Sequence, residues 1–413
     1  MDITKFNTTI LENVSDDTIK KVIKDFKLPF SFVNREYFYG MISHMVEVAP
    51  EFNPAVEVLT TIATTVGKER EPYLFGAVRR TVDAMVEYIT HSTGYSAFNG
   101  QVPGMDINTI FPLENMNIPS GDNYNNTNIG KTFISIDLSN AAFQAMKLWD
   151  AIVGDANPDG DSYILGPDIK IYKDFITKCV DIVYKNAAED VNNPENDFIF
   201  FIDKDSVINY LAHCKSVRQV IFGKTNPKRI MHIEKFIMQS LIKVIKGTYG
   251  FLPVRLNNDE IVYEYDCENN SYRLFDSSLS SSQVLTSMFF SRYNPSTGMN
   301  ETIEVPMDFH KNLYVLRGYS LIQHDNYIPI EQKQRIRFFV KDNKTFAIHM
   351  PMGPEFKSLP STVYLIARAL YQSRPDIARF FESQPILVEG TFHWLALPGS
   401  DTNTWELMGT DNQ

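Results

Sequence analysis

The chain has 413 residues, 44% of them hydrophobic and 22% charged, ordinary values for a globular protein with a substantial core. Its 39 basic and 50 acidic side chains leave a formal charge of −11, which excludes a generally basic nucleic-acid coat but permits a local basic groove. Cys179, Cys214 and Cys267 lie far apart, with no CxxC pair or Cys/His zinc spacing, which argues against a disulfide framework and a structural zinc. The opening residues show no basic stretch followed by an apolar run, and no long apolar window occurs. The expectation is a soluble, cytoplasmic protein without a membrane span.

In chain order, residues 1–30 read as a polar helical arm. Residues 34–98 read as helices, with Tyr37, Met41, His44 and Met45 at spacings of three and four. Residues 99–131 contain Pro103, Pro112, Pro119, four glycines and an asparagine run, so they read as a long loop or domain connection. A strand follows at 132–136, then Asp137, then a helix from 139 to 149 that Ser139 or Asn140 would cap. Residues 169–186 and 205–248 read as helices, 251–266 as a hairpin turning at Asn257-Asn258, and 272–350 as β-rich. A helix at 362–382 and a strand-like tail, ILVEGTFHWLAL, complete the pattern. Helices followed by strands, without a repeating βαβ order, give an α+β fold.

Standard fingerprints such as GxGxxG after a strand, GxxxxGK[ST], HExxH and GxSxG are missing from the sequence. Three features carry chemistry. FISID at 133–137 delivers a carboxylate at the end of an apolar strand, the way a protein holds an acid beside a divalent cation such as Mg²⁺. NNDEIVYE at 257–264 places Asp259 and Glu260 at the tip of a hairpin. Together, Asp137 and Asp259 would supply carboxylates from separate strands to two cations, as phosphoryl transfer requires. Read singly, each acid is equally a turn or capping residue.

The third feature is the run from Lys215 to Lys246, which holds eight cations against one acid, Glu234. Lys228, His232, Lys235 and Phe236 fall on one helical face, a combination suited to phosphate binding and base stacking. Arg218, Lys224, Lys243 and Lys246 extend the basic surface toward nucleic acid. A solvated basic face is the plainer reading of the same pattern. Asp155 to Tyr163 begins like a calcium loop, but Gly166 stands where the bidentate glutamate belongs, so it reads as an acidic turn.

In this order the motifs resemble the palm of family A, DNA polymerase I-like enzymes. Asp137-Leu138-Ser139-Asn140 is similar to the start of that family's first metal-binding motif. Lys228, Arg229, His232, Lys235 and Phe236 look like its fingers helix, and Asn258 to Glu264 like its second carboxylate hairpin. The asparagine- and isoleucine-rich composition resembles proteins of large DNA viruses and phages, which would place the protein in the host cytoplasm. The resemblance implies a helical thumb-like unit at 1–115, a palm-like core with inserted fingers-like helices at 116–275, and a β-rich α+β part at 276–413.

It also implies a nucleotidyltransferase using two Mg²⁺ ions bound by Asp137 and Asp259, assisted by Glu260. Lys228, Arg229, His232, Lys235 and Phe236 would hold the incoming nucleoside triphosphate. Nucleic acid, and other replication or virion proteins, would be the partners. The competing expectation is a non-enzymatic viral or phage replication or assembly protein that binds nucleic acid or an acidic partner through its basic segment.

Overall fold

The computed structural model describes residues 8–26, 53–103, 105–119, 131–156, 162–190, 201–250, 252–264, 287–316, 337–341 and 345–349. It also describes short strands at 386–388, 391–395 and 407–409 and isolated residues between 28 and 43 and between 193 and 199. The expected helix at 362–382 lies outside them. The fold is α+β, with helices predominating over small antiparallel sheets. Its residues group into two compact units, Met1–Glu71 with Tyr124–Thr132 and Leu313–Gln413, and Pro72–Asn123 with Phe133–Asn312. Residues 72–115, which the sequence groups with the amino-terminal helices, fall in the second unit.

In the first unit, α1 spans Thr8–Glu12, α2 Asp16–Phe26 and α3 Asn53–Thr61. Ser15 Oγ accepts the Thr18 N–H at 3.1 Å and so starts α2. Asp16 and Asp17 occupy the first turn of α2 and Lys24 its last, in the sense that the helix dipole favours. Ile19, Val22 and Ile23 are buried, as the spacing of an amphipathic helix requires. The unit also contains the antiparallel pair Arg337–Lys341 and Thr345–His349, and a three-stranded sheet of 386–388, 391–395 and 407–409.

The second unit carries the long helix α4 (Glu71–Thr90), two single-turn helices α5 (Tyr95–Phe98) and α6 (Ile107–Ile110), and strand β1 (Thr132–Leu138). Phe133, Ile134, Ser135 and Ile136 are all buried, so β1 is covered on both faces, as a central strand is. Helix α7 (Ala141–Trp149) follows directly. Helices α8 (Tyr172–Glu189), α9 (Lys204–His213), α10 (Lys215–Gly223) and α11 (Pro227–Tyr249) complete the crossover to strands β2 (Arg255–Leu256) and β3 (Glu260–Glu264). Strands β4 (Ser287–Asn294) and β5 (Met299–Pro306) pair as a hairpin, and β6 (Phe309–Leu316) begins beside the end of β1, where the Ser139 N–H donates to the Asp308 carbonyl at 2.9 Å.

The single helix expected over 205–248 is three helices. Pro227 has no N–H to continue a helix, so it opens α11 at its first turn, while Asn226 adopts a left-handed φ of 36° and its side chain accepts the Arg229 N–H. The core of this unit is an aromatic chain. Trp149 is fully buried, with Phe98 edge-on at 5.3 Å and Phe111 at 6.1 Å. Phe111 in turn packs edge-on against Phe236 at 5.4 Å.

Buried Asp150 accepts the N–H groups of Ile164, Leu165 and Gly166 at 2.7, 2.8 and 3.0 Å, fixing the return of the chain toward α8. Asp155 accepts the Tyr163 hydroxyl at 2.6 Å and faces Arg292 at 3.2 Å, while Asn157 and Asp159 of the loop lie outside the described residues.

Residues 97–119 do not form a detached connection. They run along α11 and are tied to it. Arg229 donates to the carbonyls of Ala97 and Phe98, His232 Nε2 donates to the Phe111 carbonyl at 2.8 Å, and Gln239 exchanges two bonds with the Glu114 backbone at 2.9 and 2.8 Å. The Pro119 carbonyl then accepts the Leu256 N–H at 2.9 Å, continuing the tie to β2. Gly100, with φ of 78°, is needed here, because a Cβ would lie 2.5 Å from Arg229 Nη2.

Candidate active site at the tips of β1 and β3

Two strands far apart in sequence position the acids. β1 and β3 pair antiparallel with Ser135 opposite Val262 and Asp137 opposite Glu260. The Leu138 N–H extends this ladder by donating to the Asp259 carbonyl at 2.9 Å. β3 is turned back from β2 by the Asn257–Asp259 bend, where the Asn257 N–H donates to the Glu260 carbonyl at 2.8 Å. Asp137, Asp259 and Glu260 therefore lie at one end of the sheet.

Their environments differ. Glu260 is buried and bound. It forms an ion pair with Arg255, each side chain 8% exposed, and accepts the Ser135 hydroxyl at 2.6 Å. Ser135 Oγ is also 3.4 Å from Asp137 Oδ2, at the outer limit of contact, so both carboxylates face the same serine. A carboxylate engaged in this way is a structural anchor and not an open ligand, which separates Glu260 from the role the sequence suggested for it. Asp137 is half-buried and Asp259 exposed. Desolvation pushes the Asp259 carboxyl above the ordinary range. The Glu260 charge adds to the rise, while the backbone N–H of Asp259 itself, Lys215 and Arg255 oppose it.

Glu234, the single acid of the basic run, is the unexpected member. It is 7% exposed on α11, and burial, reinforced by the Asp259 charge, pushes its carboxyl up to about 8. A glutamate in an unfolded chain titrates near ~4.3, so between there and the folded value the unfolded chain gives up a proton that the folded chain keeps. Folding is therefore favoured by this residue at acid pH, and the contribution fades as pH rises to about 8. Glu234→Gln should raise stability on the order of 2 kcal/mol at pH 9 and leave it unchanged at pH 4. Denaturant titrations across that range check this, and parallel wild-type and variant profiles would refute it.

The basic residues divide. Arg229, His232 and Phe236 face the 97–111 segment, and Lys243 pairs with Glu114 at 2.7 Å, so these four hold the chain to itself. Of the expected nucleotide-binding face, His232 and Phe236 are thus engaged within the chain. Lys224, Lys228 and Lys246 are exposed and Lys235 is half-buried. Arg218 reaches Asn140 Oδ1 and lies 5.8 Å from the Tyr172 ring centroid. Asn140, expected as a helix cap, takes a left-handed φ of 49° and makes no cap bond, because its side chain is turned to Arg218.

The sequence pointed to Asp137 and Asp259, named Lys215 and Glu234 only as members of the basic run, and did not single out Ser135 or Arg255. A lone acid among eight cations was the legible sign of Glu234. Among the described residues, no group of three or more His, Cys, Asp or Glu is arranged to hold a metal ion. Asp137 and Asp259 still offer hard oxygen donors on adjacent strands. One or two carboxylates suffice for Mg²⁺, which keeps waters and substrate phosphates in its shell. No described helix is long and apolar enough to cross a membrane. No protein family, curated protein or solved structure matches the chain.

Proposed function

We propose that the chain is a nucleotidyltransferase, template-directed or related, that joins a nucleotide to a 3′-hydroxyl at the β1–β3 tips with Mg²⁺. The observation that carries the reading is the strand register, which brings Asp137 beside the Asp259–Glu260 pair although 121 residues separate Asp137 from Asp259. A strand ending in an aspartate, antiparallel to a hairpin strand that opens on two acids, with helices in the crossover, is what the resemblance to a polymerase palm implies.

In this reading Asp137 and Asp259 hold the metal, which when bound supplies charge neutralisation to the transferring phosphate. Arg255 and Ser135 fix Glu260, and Glu260 in turn fixes the strand that carries Asp259. The ladder bond from Leu138 to Asp259 sets the two acids relative to each other before substrate arrives, so little reorganisation accompanies the reaction. The non-enzymatic alternative loses part of its surface, because Arg229, His232 and Lys243 are occupied within the chain.

The test is incubation of the full chain with labelled primers, templates and nucleoside triphosphates. Mg²⁺-dependent product that a chelator abolishes is the expected result. Absence of product across DNA and RNA primers, with no Mg²⁺ binding by calorimetry, would reject the reading.

A further inference from the structure

Lys228, His232 and Lys235 leave the question of which cations meet an anionic substrate at the β1–β3 tips. Helix α10 supplies two others. Lys215 stands at its first position, exposed, with no hydrogen bond or ion pair among the described residues, yet its charge acts on Asp259. Arg218 follows one turn later, on the same helical face. It is half-buried, its guanidinium bonds the amide oxygen of Asn140, and no carboxylate pairs with it among the described residues. Asn140 is three residues beyond Asp137 in the turn that leaves β1. The first turn of α10 thus sets one cation near Asp259 and another at the turn that follows Asp137.

We propose that Lys215 and Arg218 hold the phosphate groups of a polyphosphate ester, such as a nucleoside triphosphate, at the site; this rests on the nucleotidyltransferase reading above. A cation withdrawn from water without an acid partner is unfavourable until an anion completes it. Arg218 has five N–H donors and one is directed to Asn140, so a planar fork remains for phosphate oxygens. Cys214 provides no side-chain cap to α10, so the helix end adds its partial positive charge to that of the two side chains. Two cations one turn apart match adjacent phosphates of one chain better than a single phosphate.

The same phosphate chemistry exists in a nucleic-acid backbone, and the experiment separates the two sources. Inorganic tripolyphosphate is titrated into the full chain by calorimetry, without metal, for wild type, Lys215→Ala, Arg218→Gln and the control Lys185→Ala, an exposed lysine of α8. A tenfold or greater weakening in the Lys215 and Arg218 variants, with the control unchanged and ATP displacing the probe, is the expected result. Wild-type affinity in Lys215→Ala overturns the proposal, and so does displacement of tripolyphosphate by a single-stranded oligonucleotide but not by ATP. If Arg218→Gln fails to fold, exposed Lys215 decides the matter alone. Because the titration uses no metal and no turnover, failure of the metal-site reading would leave its outcome intact.

Discussion

Replacing Asp137 by asparagine should lower nucleotide transfer by at least about a hundredfold, since the loss removes a fixed charge aimed at the transition state. Stability should change by less than about 1 kcal/mol, because the side chain is half-buried and asparagine keeps its shape. The contrast between the two readouts is the point of the variant. Its backbone is held by the β1–β3 ladder on one side and the Ser139–Asp308 bond on the other, neither of which uses the carboxylate. Primer extension and thermal melting on the same preparation check both halves. Undiminished turnover would remove Asp137 from the reaction, and with it the metal site.

Arg255→Met should do the opposite, costing about 3–5 kcal/mol of stability by leaving Glu260 charged, buried and without its cation. The ion pair is nearly sealed, with 8% exposure on each side, and the Ser135 hydroxyl and the Asn257 amide are too weak to replace a guanidinium. The double variant Arg255→Met, Glu260→Leu should recover most of that loss, because an apolar pair of similar volume carries no desolvation penalty. Chemical denaturation of the three proteins measures the cycle. A single-variant loss under about 1 kcal/mol would mean that water reaches the pair and that Glu260 is not the anchor described above.

The strands and the acids were legible for local reasons. FISI and IVYE are short apolar runs bounded by turn residues, and the asparagines at 257 and 258 announce the bend between β2 and β3. Helix α11 was legible from its periodicity, although the breaks at Cys214 and at Asn226-Pro227, which the reading passed over, divide what reads as one helix. What the periodicity did not settle was the partner of each face. Arg229, His232 and Phe236 share a face whether they meet phosphates or a strap of their own chain, and only the long-range pairing with 97–111 decides between them. Glu260 read as an acid assisting the metal site and Arg255 was not singled out, because a local pattern does not reveal that the two will pair in a buried position. The prolines and glycines of 99–119 signalled an irregular backbone correctly, but irregular does not mean unattached.

That attachment has a kinetic side. Gln239 and Glu114 meet across 125 residues, and Arg229 and Phe98 across 131, whereas the helices between them form from neighbours in sequence. Closing a loop of that size is slow relative to helix growth, and the entropy lost is recovered only once the loop ends are docked. Residues 97–119 have almost no regular structure of their own to hold them before α11 is present. The strap is therefore a late element of folding: α11 forms first as an amphipathic helix with one face uncovered, and the irregular segment closes over it. On a ribosome the segment emerges more than a hundred residues before the helix it needs, so for that interval the Phe98 and Phe111 carbonyls lack their α11 donors and the Phe111 ring lacks Phe236.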